Sequence, residues 1–339
     1  MAEHQGMSRR HMHFVGTMPQ FSDARAAFSW QLGQEVRPLL RRLSSGETGP
    51  RLMWFVPMVK ELKGQPEIRS VKDGDWSGYE DTDLLTVRRG QQLRIPLRLE
   101  QYATEDRAAL ESVVDDAGLP MQVGVPGYLD MALFTFGPLG AIRYSRKFLT
   151  AVSDQISRIA APDVVFQLEV PAALIAVASA PRLLRPAMAA FMAHLVTRPV
   201  ARAPQGSRFG VHLCLGDLGH RALRQLPDAE PLVLLANAIV RRWSAGRSLE
   251  FVHLPMSGGD QPPTTDAAFY APLRRLHDMP LIAGIAHELQ DPSDQLRVRD
   301  LVETAVGRPV DIATSCGLGR RAPSEAERAV QAMLKLTAD

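Results

Sequence analysis

Short apolar runs, each the length of one buried strand, alternate with longer stretches whose apolar residues fall three or four apart. That alternation constrains this chain more than any single motif. The runs fall at 13–17, 52–57, 122–126, 164–169, 210–214, 249–253, 281–287 and 311–316. Runs of this kind feeding helical segments are the pattern of repeated βα units with a parallel sheet. One helical stretch opens at Ser22 and places Phe28, Leu32, Val36, Leu39, Leu40 and Leu43 on one face, with a bend near Pro38. Another starts at Ser293 and carries Leu296, Leu301, Val302 and Val306. The last opens on Ser324-Glu325-Ala326-Glu327, a capping-box pattern, ahead of Ala329, Val330, Met333 and Leu334. Eight strands, each leading into a helix, predict the α/β class: a single (β/α)8 TIM barrel over residues 1–339, with residues 1–11 as a flexible tail. The segment 82–100 holds a further strand-like pair and is expected as an excursion between the second and third strands.

Size and charge agree with one soluble barrel. A chain of 339 residues with 45% apolar and 22% charged residues buries a substantial core without staples. The formal charge of +2 is spread along the chain with no basic stripe, which argues against nucleic acid and membrane surfaces as partners. The apolar stretch 170–196 is broken by Pro181, Arg182, Arg185 and Pro186, unlike a membrane-spanning helix. The start, Met1-Ala2-Glu3, has no apolar core of a secretory signal, and the two cysteines lie far apart. A reducing cytoplasm is the expected location.

In barrels of this kind the chemistry sits at the carboxyl ends of the strands. Those predicted ends carry Thr17, Glu169, His212 with Cys214, His253, His287 and Cys316. A His-x-Cys pair on a strand turns both side chains to one face. Imidazole and thiolate are the donors that Zn²⁺ prefers. Cysteines are also common as small buried apolar residues, so the pair alone leaves both readings open.

Five segments, in order, carry a family resemblance: Val15-Gly16-Thr17-Met18-Pro19-Gln20, Gln167-Leu168-Glu169-Val170-Pro171-Ala172, His212-Leu213-Cys214, Ile285-Ala286-His287 and Thr314-Ser315-Cys316-Gly317-Leu318-Gly319-Arg320. Through them the chain resembles the catalytic barrel of cobalamin-independent methionine synthase. The wider group includes uroporphyrinogen decarboxylase and the zinc methyltransferases of methanogens. The resemblance implies a zinc-dependent methyl or alkyl transferase whose Zn²⁺ binds a small-molecule thiol acceptor and lowers its pKa, with a folate or a corrinoid as methyl donor. It implies zinc ligands at His212, Cys214 and Cys316. At the family's remaining ligand, a glutamate, stands His253, with Glu250 three residues earlier. A regular strand turns these two to opposite faces; His253 is the expected ligand and Glu250 the alternative.

For the substrate, the resemblance implies Thr17 at a carboxylate and acids from the second and fourth strands at an ammonium group. Glu169 meets that on the fourth strand. The predicted second strand offers no acid, and Glu47 precedes it, which puts it at the opposite end of the barrel. His287 is the expected catalytic proton-transfer group, since imidazole titrates near neutrality. Arg320 and Arg321 are expected near an anionic donor. Two other functions share the barrel: a metal-free decarboxylase of the uroporphyrinogen type, and a non-catalytic binder of a thiol or a corrinoid.

Overall fold

The structure, a computed structural model, describes residues 9–338. Seven parallel strands form a curled sheet: β1 (Leu43–Ser44), β4 (Met121–Pro126), β5 (Val164–Glu169), β6 (Arg208–His212), β7 (Ser248–Pro255), β8 (Leu281–Ala286) and β9 (Asp311–Thr314), paired in that order. Met12 bridges both edges, pairing with Leu40 beside β1 and with Ile312 in β9. Its flanking amides complete the seam: Met12 N donates to Leu39 O at 2.7 Å and His13 N to Ile312 O at 2.8 Å. The expected first strand is thus present as a bridge, and through it the sheet closes on itself in the manner of a TIM barrel.

The expected second strand is wrong. Residues 52–57 form the end of a 3-10 turn (Gly49–Met53) and the start of a helix (Val56–Lys63), with Pro57 in the first turn, where its missing N–H costs nothing. The true second strand is β1, only two residues long, in a segment whose leucines read as a continuation of the first helix. That helix covers only Ala24–Gln31; Asp23 rather than Ser22 caps it, accepting from Ala26 N at 2.8 Å. Pro38 sits in a separate 3-10 turn (Arg37–Leu39), and the chain then extends into β1.

Elsewhere the expected runs hold, with shifted ends. β6 and β9 stop two residues short of the cysteines, so Cys214 and Cys316 stand on the loops just past their strands. β5 and β8 are buried along their whole length, as parallel strands covered on both faces must be. Inside the barrel, Val165, Phe251, Ile282 and Ala313 make a small apolar plug, with the Arg42 guanidinium 4.4 Å from the Phe251 ring centre. A larger apolar core lies between strands and helices.

The excursion between the second and third barrel strands is an antiparallel hairpin, β2 (Ile68–Lys72) with β3 (Leu84–Val87). Its first strand lies earlier than expected, and residues 93–98 form no strand. Trp76 anchors it, buried and donating to Asp83 Oδ2 at 2.9 Å. Of the expected tail, residues 1–8 lie outside the described residues, while Arg10 is ion-paired with Glu303 at 2.7 Å and His11 N donates to Asp311. Among the described residues no helix is long and apolar enough to cross a membrane.

Candidate metal and substrate site

At the carboxyl ends of the strands lies a cavity that opens to solvent on one side. Its walls are mostly apolar and include Leu52, Trp54, Phe55, Trp76 and Phe134; a few polar groups converge within it. Three come from β6 and the β6 and β9 loops: His212, Cys214 and Cys316, whose ligand atoms all lie within 4.8 Å of one another. The two sulfurs are 3.7 Å apart, far longer than a disulfide bond. Gly216 N points at Cys214 Sγ from 3.2 Å. The neighbouring Cys214 thiol and burial hold Cys316 well above the usual thiol range. Two buried thiols side by side ionise together only when a cation shares their charge. Two thiols and an imidazole, all facing a cavity, are a donor set that fits zinc with a coordination position left for a ligand.

His253 does not join this cluster. Its Nε2 donates to Thr314 O at 3.0 Å, and its Nδ1 lies 2.6 Å from Nδ1 of His212. Burial lowers its pKa to about 3, so the ring is neutral and its Nδ1 is an acceptor. The proton in that short bond therefore belongs to His212 Nδ1, which leaves His212 Nε2 with a lone pair for a metal. His253 occupies the second rank behind the donors, where partners fix the tautomer and ring angle of a ligating histidine. Glu250 faces the other way, paired with Arg208 at 3.0 Å.

The acids are arranged differently from the sequence expectation. Because β1 ends at Ser44, Glu47 follows the second strand instead of preceding it, and it lines the cavity. The turn that delivers it is left-handed at two successive residues, Gly46 (φ 74°) and Glu47 (φ 40°). A non-glycine residue in that region is strained, and its neighbours must hold it there. Gly16 and Gly124 leave the space its carboxylate needs: a Cβ on Gly16 would fall 2.6 Å from Glu47 Oε2, and one on Gly124 2.2 Å from Glu47 Oε1 and 3.1 Å from Glu169 Oε1. The two carboxyls thus converge on one spot from the second and fourth barrel strands.

Glu169 accepts from Gln167 Nε2 at 3.1 Å and from Trp54 Nε1. Burial nonetheless pushes its carboxyl up to about 7. Burial and the neighbouring Glu169 raise Glu47 well above the usual carboxylate range, with Arg51 opposing. Among the described residues the Glu47 carboxylate has no hydrogen-bond donor. A close pair of desolvated acids on a cavity wall is a receptor for a small cation such as an ammonium group.

Thr17 also lines the cavity, and its Oγ1 accepts from Gly319 N at 2.8 Å. His287 does not line it: its Nε2 donates to Gly259 O at 3.1 Å and its Nδ1 accepts from Leu289 N at 3.2 Å. Arg321 is buried too, paired with Glu288 at 2.8 Å, whereas Arg320 does reach the cavity. The structure thus brings Thr17, Glu169, His212, Cys214 and Cys316 to one cavity and leaves His253 and His287 behind its wall.

Sequence reading missed Trp54, taken as a strand residue, and Tyr79 from the excursion. The Tyr79 hydroxyl accepts from Leu218 N at 3.1 Å beside the Cys214 loop. It also missed Asp217, whose buried carboxylate lies 3.3 Å from His220 Nδ1, off line for a hydrogen bond. Only Asp217, three residues past Cys214, carried a usable signal.

No protein-family description matches this chain, and no curated protein matches it. Solved structures do. A B12-independent methionine synthase from Shewanella sp. W3-18-1, in complex with selenomethionine, aligns with a TM-score of 0.63 at 12% identity, over 97% of this chain and 98% of that one. A putative vitamin-B12 independent methionine synthase from Listeria monocytogenes aligns with a TM-score of 0.50 at 11% identity, over 98% and 97%. The chain has the fold of B12-independent methionine synthases over nearly its whole length.

Proposed function

We propose that this protein is a zinc-dependent transferase that moves a methyl or other alkyl group onto a small thiol carrying an ammonium group. One observation carries the reading: a cavity with His212, Cys214 and Cys316 clustered in its wall also holds the converging carboxyls of Glu47 and Glu169. The shared fold adds support. Zinc, when bound, supplies a Lewis acid that lowers the pKa of the acceptor thiol, so that a nucleophilic sulfur exists at neutral pH. His212, Cys214 and Cys316 would hold it, with His253 orienting His212. Glu47 and Glu169 take the ammonium end of the acceptor, and the Trp54 and Gln167 donors keep Glu169 aimed. Thr17 lies on the same wall as a hydroxyl for a polar end of the ligand. The apolar walls exclude water from the sulfur and strengthen each of these contacts. The new carbon–sulfur bond forms as the donor keeps the electron pair of the bond it loses; a folate or a corrinoid carrier suits that role, entering at the open side.

The second acid matters for the choice of acceptor. Without Glu47 an amino-acid thiol such as homocysteine would meet a single carboxylate; with it, the ammonium is held by two. The test is zinc content of protein purified under reducing conditions, followed by methyl transfer to homocysteine from methyl-folate and methyl-corrinoid donors. The expected results are about one zinc per chain, its loss in Cys214→Ser and Cys316→Ser, and transfer with one donor. Zinc-free protein that decarboxylates a porphyrinogen would replace this reading with the decarboxylase one. Bound zinc with no turnover for any donor would favour a binding role.

A further inference from the structure

Asp217 is a buried carboxylate on the cavity wall whose two oxygens have no hydrogen-bond donor among the described residues. Gly259 leaves the room for it: a Cβ there would fall 2.5 Å from Asp217 Oδ1. A desolvated carboxylate without a partner is costly until something entering the cavity meets it. It stands outside the donor cluster of His212, Cys214 and Cys316. Its nearest titratable neighbour is His220, whose Nδ1 lies 3.3 Å from Asp217 Oδ1 and is itself buried without a partner. The backbone of His220 is left-handed (φ 52°), after a left-handed Gly219 (φ 63°), and its N–H donates to Asp217 O at 3.1 Å. That strained turn folds the ring back onto the acid. The ring is 29% exposed against 8% for the Asp217 side chain, so the pair runs from the cavity through its wall to solvent.

From this arrangement we infer that Asp217 and His220 carry the proton of the acceptor thiol out of the cavity. The inference rests on the thiol-transferase reading above and adds the exit of the proton to it. The sulfur–hydrogen bond breaks, its electron pair stays on sulfur, and the proton passes to an oxygen of Asp217. It moves on to Nδ1 of neutral His220 and leaves from Nε2 to water, which restores the charge of both groups. The 3.3 Å contact is off line in the empty cavity, as relay contacts commonly are before a ligand tightens them. Glu47 and Glu169 are taken up by the ammonium end, and His287 lies behind the wall with both nitrogens engaged, so none of the three serves this step. The charged and titratable groups facing the pair are Cys316 and Tyr79 toward the cavity, with Glu288 and Arg321 beside His220. Asp217 holds the imidazole above its ordinary range, which suits the ring to receive a proton from the acid.

The experiment mixes Co²⁺-loaded protein with L-homocysteine at mildly alkaline pH in a stopped-flow instrument. The sulfur-to-cobalt charge-transfer band reports the loss of the thiol proton. Asp217→Asn and His220→Gln are expected to slow the band by about 100-fold, the low end of what a positioned proton carrier contributes, with the same final absorbance. Raising the concentration of a bulky morpholine buffer should restore the rate of His220→Gln and leave wild type unchanged, because the buffer base then takes the proton from Asp217. His220→Gln, at a partly exposed position, covers the case in which the Asp217 variant does not fold. A wild-type rate in either variant overturns the inference but leaves the transferase reading intact. So does a slow rate in His220→Gln that buffer does not relieve, the sign of a structural role. If wild-type protein gives no band with the thiol, the thiol-acceptor reading itself fails, and this inference with it.

Discussion

His253 holds its Nδ1 2.6 Å from Nδ1 of His212, at directly paired positions of adjacent parallel strands. The remaining nitrogen of His253 is committed to Thr314 O, which runs just ahead of Cys316. One neutral ring thereby ties the β6 donor to the β9 loop and fixes which nitrogen of His212 is free. Loss of such an outer partner typically costs 10- to 100-fold in metal affinity. His253→Phe is therefore expected to weaken zinc binding by about that factor in chelator competition, while still binding one ion at saturation. Loss of zinc as complete as in Cys214→Ser would instead make His253 a direct ligand.

Much of this arrangement is legible in the sequence, and the parts that are not share a cause. Strands β4 to β9 are long enough, and apolar enough, to stand out between helices. β1 is two residues long, too short for any period, and its Leu43 fits the preceding helical pattern equally well. With that second strand hidden, the pattern puts it at 52–57, and Glu47 then precedes the strand instead of following it. For His253, alternation correctly gave the inward face and separated it from Glu250. Alternation says nothing about depth, and depth decides whether an inward histidine reaches a metal or stands behind another ligand. Trp54 and Tyr79 reach the cavity from segments outside the strands, where side-chain direction follows from tertiary packing.

The acid pair makes a pH prediction. The pKa of Glu169 is raised to about 7 from an ordinary 4.5, so the folded chain favours the protonated carboxyl. A raised pKa contributes stability that is fully present below about pH 4.5 and is lost as pH rises through 7. Ligand-free protein should thus melt at a lower temperature at pH 8 than at pH 5. Glu169→Gln should flatten that difference. Asp130, buried and also raised to about 7, leaves a residual slope in the variant. Binding of an aminothiol should run the other way, strengthening as Glu169 ionises toward pH 8. Calorimetry across this range checks both; a pH-independent affinity would argue against the acid pair as the ammonium receptor.

Arg51 holds Asp106 through two hydrogen bonds of 2.7 and 2.6 Å, just beyond the turn that presents Glu47. Asp106 is buried, so Arg51→Met leaves a carboxylate in the interior with no partner. Breaking a buried pair from one side costs about 3 kcal/mol. It also removes the cation that opposes the rise in the Glu47 pKa. Chemical denaturation should report the lost stability. Aminothiol affinity at neutral pH should fall in the same variant, because Glu47 then ionises less readily. The double change Arg51→Met with Asp106→Leu should recover much of the stability and only part of the affinity, because Asp106 raises the Glu47 carboxyl by less than Arg51 lowers it.

His287 separates a structural role from a catalytic one. Burial is the first cause lowering its pKa, and its two nitrogens serve Gly259 O and Leu289 N, main-chain groups of two adjoining loops. His287→Phe takes the partner from Leu289 N and leaves Gly259 O to Arg321 alone, at a cost of about 2 kcal/mol. The thermal midpoint should drop while kcat, the zinc affinity and the aminothiol affinity stay close to wild type. A general acid gives the opposite signature: a kcat lower by about 100-fold or more at an unchanged melting temperature. The two measurements on one variant therefore decide between the roles. The position of His287 behind the cavity wall favours the first.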